Sequence, residues 1–192
     1  MKKLKIADGI HMLTMNVEDI LFEGIWEIAN GVTLNSYIVQ GEKTAIIDGV
    51  IGWDGIPETL YKNMEEIGVD PQSIDYLIVN HMEPDHSGWI SNFRKVKDDF
   101  TVVCTDKAAK MVSSFYGEAR IKVVKEGDTL DLGKGKVLSF HPVPNVHWPD
   151  TMYTYEGNTK TLFSCDMFGT FGRIGDHCFD DELTPKRRIS LS

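Results

Sequence analysis

Four side chains that bind metals well fall within six residues of this sequence, directly after an apolar run. They are His81, Glu83, Asp85 and His86, and the short β-branched run before them, residues 76–79, predicts a buried strand. The four side chains therefore lie on the loop that leaves the carboxyl end of this strand, where open α/β sheets bind ligands. Without a metal, four such side chains so close together would repel one another or would have to be buried. One or two metal ions would satisfy their charges and lone pairs together. The stretch predicts a metal site.

The size and composition of the chain favour one globular domain. Its 192 residues suffice for one sizeable core and are too few for two comfortable domains. No apolar run approaches membrane-spanning length, and the lysines at the start are not followed by the apolar segment of an export signal, so we expect a cytoplasmic protein without membrane contact. A net charge of −9 disfavours nucleic-acid binding, which needs a basic face. The three cysteines, Cys104, Cys165 and Cys178, form no Cys-x-x-Cys pattern and indicate neither a disulfide framework nor a thiolate cluster.

The hydrophobic pattern changes period twice along the chain. An antiparallel opening of hairpins is followed by alternating helices and strands, and the chain then returns to hairpins. The predicted strands are 25–28, 34–39, 44–48, 76–79, 101–105, 121–124, 129–132, 137–141, 152–155 and 161–165. The predicted helices are 57–67, a second that begins at Ser87, and a third that is capped by Asp106 and stopped by Gly117, with Ala108, Met111, Val112 and Phe115 on its inner face.

Two further metal-binding side chains follow the later strands. His147 lies in the loop after strand 137–141, and Asp166 comes just past strand 161–165. Three separate strand ends thus deliver six candidate ligands. Asp48 fits a turn residue or hydrogen-bond acceptor better than a ligand, and His11 and His141 fit structural positions.

The spacing of these residues closely resembles the metallo-β-lactamase-like domain of flavodiiron proteins. The pattern is His-x-Glu-x-Asp-His at 81–86, then His-Trp-Pro-Asp-Thr-Met from His147 and Leu-Phe-Ser-Cys-Asp-Met-Phe-Gly around Asp166. The resemblance implies an α/β (α+β) fold, the αββα sandwich. It also implies two iron ions: His81, Glu83 and His147 on the first, Asp85 and His86 on the second, and Asp166 bridging the two. It implies no catalytic side chain beyond these ligands.

The carboxylate at Glu83 bears on the choice of metal. Metallo-β-lactamase-like hydrolases commonly carry His-x-His-x-Asp-His, a nitrogen-rich set suited to zinc that activates water. Glu83 instead adds negative charge and hard oxygen, which better suits iron that moves between ferrous and ferric states. Because carboxylates also bind zinc and manganese, the residues favour redox chemistry and leave hydrolysis open.

The chain departs from the family pattern near its end. The second iron of the family normally takes one more histidine well downstream of Asp166, whereas only 26 residues follow Asp166 here and His177 comes too soon. The flavodoxin-like domain that binds FMN does not follow, so we expect no FMN in this chain. We expect a metallo-β-lactamase-like domain over 1–184, truncated at its C-terminus, and a divergent basic tail over 185–192. A truncated chain, a frameshifted gene and half of a split protein all fit this pattern.

The expected function is that of a non-haem diiron oxidoreductase that binds and reduces dioxygen or nitric oxide. Two ferrous ions supply two electrons, whereas reduction of dioxygen to water needs four, so we expect an external electron donor such as a flavodoxin or rubredoxin. The resemblance also implies a homo-oligomer with head-to-tail packing. Two alternatives stay open: an oxygen-binding diiron sensor without sustained turnover, and a zinc-dependent hydrolase.

Overall fold

Among the residues that the structure describes, strands make up the first and last parts of the chain and the α-helices lie between them. A computed structural model describes residues 2–18, 21–22, 25–49, 58–117, 119–173 and 179. The strands are β1 Lys2–Ala7, β2 Ile10–Val17, β3 Leu21–Phe22, β4 Trp26–Glu27, β5 Val32–Gln40, β6 Thr44–Ile47, β7 Ile74–Ile78, β8 Thr101–Cys104, β9 Ile121–Val123, β10 Thr129–Asp131, β11 Val137–Pro142, β12 Met152–Glu156 and β13 Thr161–Phe163. The helices are α1 Glu58–Glu66, α2 Pro84–Ser87, α3 Ile90–Val96 and α4 Asp106–Tyr116.

The strands form two main sheets. The first has seven strands in the order β1-β2-β5-β6-β7-β8-β9, and the second has four in the order β10-β11-β12-β13. The first sheet changes from antiparallel to parallel pairing between β6 and β7. At that point hairpin turns give way to helical crossovers, because two parallel neighbours cannot be joined by a tight turn. The remaining pair, β3 and β4, is a short ribbon whose Trp26 is exposed.

Alternating side chains of the first sheet face two separate cores. Ile46 of β6 lies in a cluster with the buried faces of α1, α3 and α4, which include Leu60, Phe93 and Val112. The neighbours of Ile46 on the strand lie in the other cluster, which the second sheet fills with large side chains such as Phe140. The described residues therefore supply one helical layer and both sheets of the predicted αββα sandwich, which confirms the metallo-β-lactamase-like fold class.

Three local predictions were wrong. The helix expected from Ser87 begins at Ile90 as α3, and Ser87 is instead the last residue of the short helix α2. Thr105 rather than Asp106 caps α4, since its Oγ1 accepts a hydrogen bond from the backbone N–H of Ala108. Phe115 is 59% exposed, although the helical pattern placed it inward.

Several predicted features lie outside the described residues. They are the helix start at Pro57, His177, Cys178 and the tail 185–192, so the domain boundaries stay predictions. In the part of the chain that is described, no helix is both long enough and apolar enough to cross a membrane.

Candidate metal centre

A buried amide fixes the start of the ligand loop. Asn80 follows β7, and its backbone N–H and side-chain NH₂ donate to the carboxylate of Asp48, at 2.8 and 3.2 Å. The NH₂ group also lies 3.3 Å from the carbonyl oxygen of Phe163, and the Asn80 amide oxygen accepts a hydrogen bond from Thr154 Oγ1 at 2.8 Å. Since these partners sit at the ends of β6 and β13 and on β12, Asn80 ties both sheets to the loop that carries His81.

The first group of predicted ligands converges on one point. Nε2 of His81 lies 3.3 Å from Glu83 Oε2 and 3.1 Å from Asp166 Oδ2. Nε2 of His147 lies 2.9 Å from the same Glu83 oxygen and 3.4 Å from the same Asp166 oxygen. One ligand atom from each of the four side chains thus falls within 4.8 Å of every other.

A second group lies on the other side of Asp166. Nε2 of His86 is 3.0 Å from Asp166 Oδ1 and 3.6 Å from Asp85 Oδ2. The two oxygens of the Asp166 carboxylate therefore face different histidines. This is the position that a carboxylate bridging two cations needs.

The six side chains differ in their exposure to solvent. His81 and His86 are buried, whereas the His147 side chain is 56% exposed. The site therefore opens to the surface on the His147 side. Several residues close in sequence to His147 and Asp166 are apolar and exposed: Val146, Met167, Phe168 and Phe171.

Two tryptophans pack on the residues that carry or neighbour the candidate ligands. Trp148 meets the ring of His81 edge to face at 6.2 Å between centroids. Trp89 is fully buried and packs so tightly on Gly49 that a Cβ there would lie 1.3 Å from its Nε1. Any side chain at position 49 would displace the indole and, with it, the segment that carries His86, whose carbonyl oxygen accepts a hydrogen bond from Gly49 N–H.

The carboxylates and imidazoles of the cluster control one another's charge. Burial opposes a charge on His81, but hydrogen bonds to Asp166 and Glu83 outweigh it and raise its pKa to about 9. Burial likewise opposes the charge of Asp166, yet hydrogen bonds from His81 and His86 hold its pKa well below the usual range. Protons on the histidines thus balance the carboxylates, and divalent cations can take the place of those protons.

The donor set fits two metal ions. Three neutral imidazoles and three carboxylates leave a charge of about −3, and two divalent cations offset it and bring the site to about +1. The Oδ1 atom of Asp85 is buried and has no hydrogen-bond partner among the described residues, as expected for an oxygen that needs a cation. Mixed nitrogen and oxygen ligands suit iron, and also zinc and manganese.

All six predicted ligands come together, and the other predicted candidates do not join them. His141 contacts Glu126 and Ser139 instead, at 2.8 and 3.0 Å. Asp48 acts as the predicted acceptor, and its Oδ2 also lies 3.6 Å from Nδ1 of His86. Sequence reasoning missed the contact between Cys165 and His81. The available signal was its place directly before Asp166.

The fold and the ligand pattern define a metallo-β-lactamase-like metal domain, and comparisons with known proteins agree. The family model described as ODP family beta lactamase matches residues 32–185. Diflavin flavoprotein A 1 of Synechocystis sp. is 42% identical over 157 residues, which are 81% of this chain and 27% of that protein. The anaerobic nitric oxide reductase flavorubredoxin of Vibrio vulnificus is 35% identical over 160 residues, 82% of this chain and 32% of that protein.

A solved structure shares the same fold. Rubredoxin oxygen:oxidoreductase from Desulfovibrio gigas superimposes with a TM-score of 0.82 at 31% identity, over 95% of this chain and 45% of that one. The chain belongs to the ODP beta-lactamase family, and the expected resemblance to flavodiiron proteins is confirmed. It spans between about a quarter and about half of the length of these relatives.

Proposed function

We propose that this chain is the metal-binding domain of a flavodiiron-type oxidoreductase, in which two iron ions serve to reduce dioxygen or nitric oxide. The observation that carries the proposal is the carboxylate of Asp166, whose Oδ2 faces His81 and His147 while its Oδ1 faces His86. The names of two relatives, a nitric oxide reductase and a rubredoxin oxygen:oxidoreductase, support both gases as substrates.

Each side chain has a distinct part in holding the metals. His81, Glu83 and His147 would hold the first iron, Asp85 and His86 would hold the second, and Asp166 would serve both positions. When bound, a pair of ferrous ions supplies two electrons and open positions for a diatomic gas.

Further residues orient these ligands and exclude water from them. Asn80 and Asp48 fix the start of the loop, and Trp148 restricts the ring of His81. The exposed side of His147 leaves a path by which a small gas reaches the centre.

The electrons for sustained turnover come from outside the two metal positions. Full reduction of dioxygen needs four electrons, so a flavin or rubredoxin donor must refill the centre. The exposed apolar residues beside Asp166, above all Phe168 at 71% exposure, suit contact with such a donor or with a second copy in a homo-oligomer.

Metal loading followed by exposure to the gas tests the proposal. The protein is loaded with ferrous iron without oxygen, its metal content is measured, and oxygen is added with and without a reduced flavodoxin or rubredoxin. We expect about two irons per chain and continuous oxidation of the donor. Asp166→Asn should lose both, whereas Asp131→Asn, in the exposed part of β10, should lose neither.

Two results would contradict the proposal. A single stoichiometric reaction with oxygen, unchanged by the donor, would indicate an oxygen sensor. Retention of zinc in preference to iron, together with hydrolysis of an ester, thioester or lactam, would indicate a hydrolase.

A further inference from the structure

Two consecutive residues contact the two ring nitrogens of His81. The sulfur of Cys165 lies 2.8 Å from Nδ1, and Oδ2 of Asp166 lies 3.1 Å from Nε2. The imidazole is fully buried, so no water competes for either nitrogen. One dipeptide therefore fixes the orientation of this ring from both sides.

The backbone at Cys165 makes this double contact possible. Along a strand, consecutive side chains point to opposite faces of the sheet. Cys165 instead comes two residues after the end of β13 and has a φ of 53°, in the left-handed region that glycine adopts most readily. The sharp turn brings both side chains to His81. Glycine would satisfy this backbone equally well but would leave Nδ1 without the sulfur.

The thiol of Cys165 is a neutral hydrogen-bond partner for Nδ1 of His81. At neutral pH a cysteine side chain ordinarily carries a neutral thiol rather than a thiolate. A neutral thiol sulfur is a weak acceptor of hydrogen bonds. A histidine that binds a metal through Nε2 carries its proton on Nδ1, which here points at the sulfur.

We propose that Cys165 is a positioning residue of the metal centre: its sulfur accepts a hydrogen bond from Nδ1–H of His81 and so fixes the ring with Nε2 free to bind metal. The inference rests on the proposed function. The other buried histidine has a different kind of partner, because Nδ1 of His86 faces the Asp48 carboxylate at 3.6 Å. The two metal positions thus differ in the groups that support their histidines.

Metal titration of matched variants tests this role. Ferrous iron is titrated without oxygen into the unmodified protein and into Cys165→Ala, Cys165→Ser and Cys165→Gly. The alanine variant should bind iron about 10- to 100-fold more weakly, as when the hydrogen-bond partner of a metal-bound histidine is removed. The serine variant keeps an acceptor and should lose less. The glycine variant relaxes the backbone and should still lose as much as alanine, which separates positioning from strain.

A second buried cysteine supplies the control. Cys104 lies in β8, is fully buried and has no place in the ligand cluster, so Cys104→Ala should leave iron affinity unchanged. Circular dichroism and thermal unfolding identify any variant that fails to fold.

Nuclear magnetic resonance of the zinc-loaded protein gives a direct view of the ring. We expect a slowly exchanging Nδ1–H signal of His81, and loss of that protection in Cys165→Ala. A proton on Nε2, or equal iron affinity in the alanine and unmodified proteins, overturns the role of Cys165 and leaves the diiron proposal standing. An unmodified protein that binds neither iron nor zinc overturns the diiron proposal itself.

Discussion

At the scale of single residues, the centre depends on one carboxylate, Glu83, at a position where hydrolases of this fold commonly carry nitrogen. Glu83 Oε2 lies between the Nε2 atoms of His81 and His147, at 3.3 and 2.9 Å. A hydrogen bond from His81, together with the nearby charge of His147, lowers the pKa of Glu83 although burial opposes this. Glu83 is therefore negatively charged at neutral pH and offers a hard oxygen to a metal ion at the proposed first position.

Replacing this carboxylate tests its part in metal selection. Glu83→His should lower the retention of iron relative to zinc, because it removes a negative charge and substitutes nitrogen for hard oxygen. The measurement is metal content after competition between equal concentrations of ferrous iron and zinc. An unchanged iron-to-zinc ratio would count against this account of Glu83.

The six candidate ligands could be predicted from the sequence, whereas the contacts that support them, such as that of Cys165, could not. All six candidate ligands are polar residues that follow predicted strands, so residue type and position were enough to single them out, and the resemblance to flavodiiron proteins grouped them. Cys165 escaped because its role depends on a left-handed backbone, which its residue type does not encode.

At the scale of elements, a buried polar network links the ligand loop to both sheets. Thr154 of β12 is fully buried and donates its hydroxyl proton to the amide oxygen of Asn80, which precedes His81. A buried acceptor that loses its partner is costly, because water cannot replace the lost bond. The network therefore contributes to stability and to the position of the loop.

Thr154→Val removes this bond with little change in shape. We expect the free energy of unfolding to fall by about 1–3 kcal/mol, the cost of leaving Asn80 Oδ1 unpaired. Denaturant unfolding of the metal-free protein measures the change. Thr129→Val, at an exposed position of β10, is the matched control and should be close to neutral. Equal stability of both variants would show that the Asn80 contact contributes nothing.

The turn between β12 and β13 makes the stability of the fold depend on pH. Glu156 is fully buried and accepts hydrogen bonds from the backbone N–H groups of Asn158 and Thr159, at 3.1 and 2.8 Å. Burial opposes its charge, but the bonds from Thr159 and Asn158 outweigh burial and lower its pKa. A group whose pKa is lower in the folded state stabilises the fold above its unfolded pKa and loses that effect as the pH falls through the folded value.

Glu156→Gln should remove this contribution. At neutral pH we expect a loss of about 1–3 kcal/mol in the free energy of unfolding, typical of hydrogen bonds to a charged group. The gap between the two proteins should close as the pH falls through the lowered pKa of Glu156. Urea unfolding across a pH series measures it, and a gap that is independent of pH would be the contrary result.

Hydrophobic periodicity predicted the element boundaries correctly where the packing of apolar side chains alone sets them. Strand β5 was predicted as 34–39 and extends over Val32–Gln40, and the hairpins of the second sheet fall where the alternation placed them. The start of α3 was misplaced because Ser87 fits a helix N-cap by residue type, whereas in the structure it is the last residue of α2. Phe115 was misplaced because helical spacing identifies a face and not what covers it.

At the scale of the whole molecule, the sandwich brings three distant parts of the chain to one edge. The loops after β7, β11 and β13 carry the six ligands, and the longest separation, from His81 to Asp166, is closed by a contact of 3.1 Å. Chain order alone could not predict this closeness, because it depends on how the two sheets pack. The resemblance to flavodiiron proteins supplied that information, whereas the domain boundaries and the cytoplasmic location stay predictions.

Anomalous diffraction at the iron absorption edge, from crystals loaded with ferrous iron without oxygen, tests the central claim most directly. We predict two iron peaks, one on each side of the Asp166 carboxylate, with His81, Glu83 and His147 around the first and Asp85 and His86 around the second. A single peak, or iron bound away from these six residues, would contradict the diiron centre.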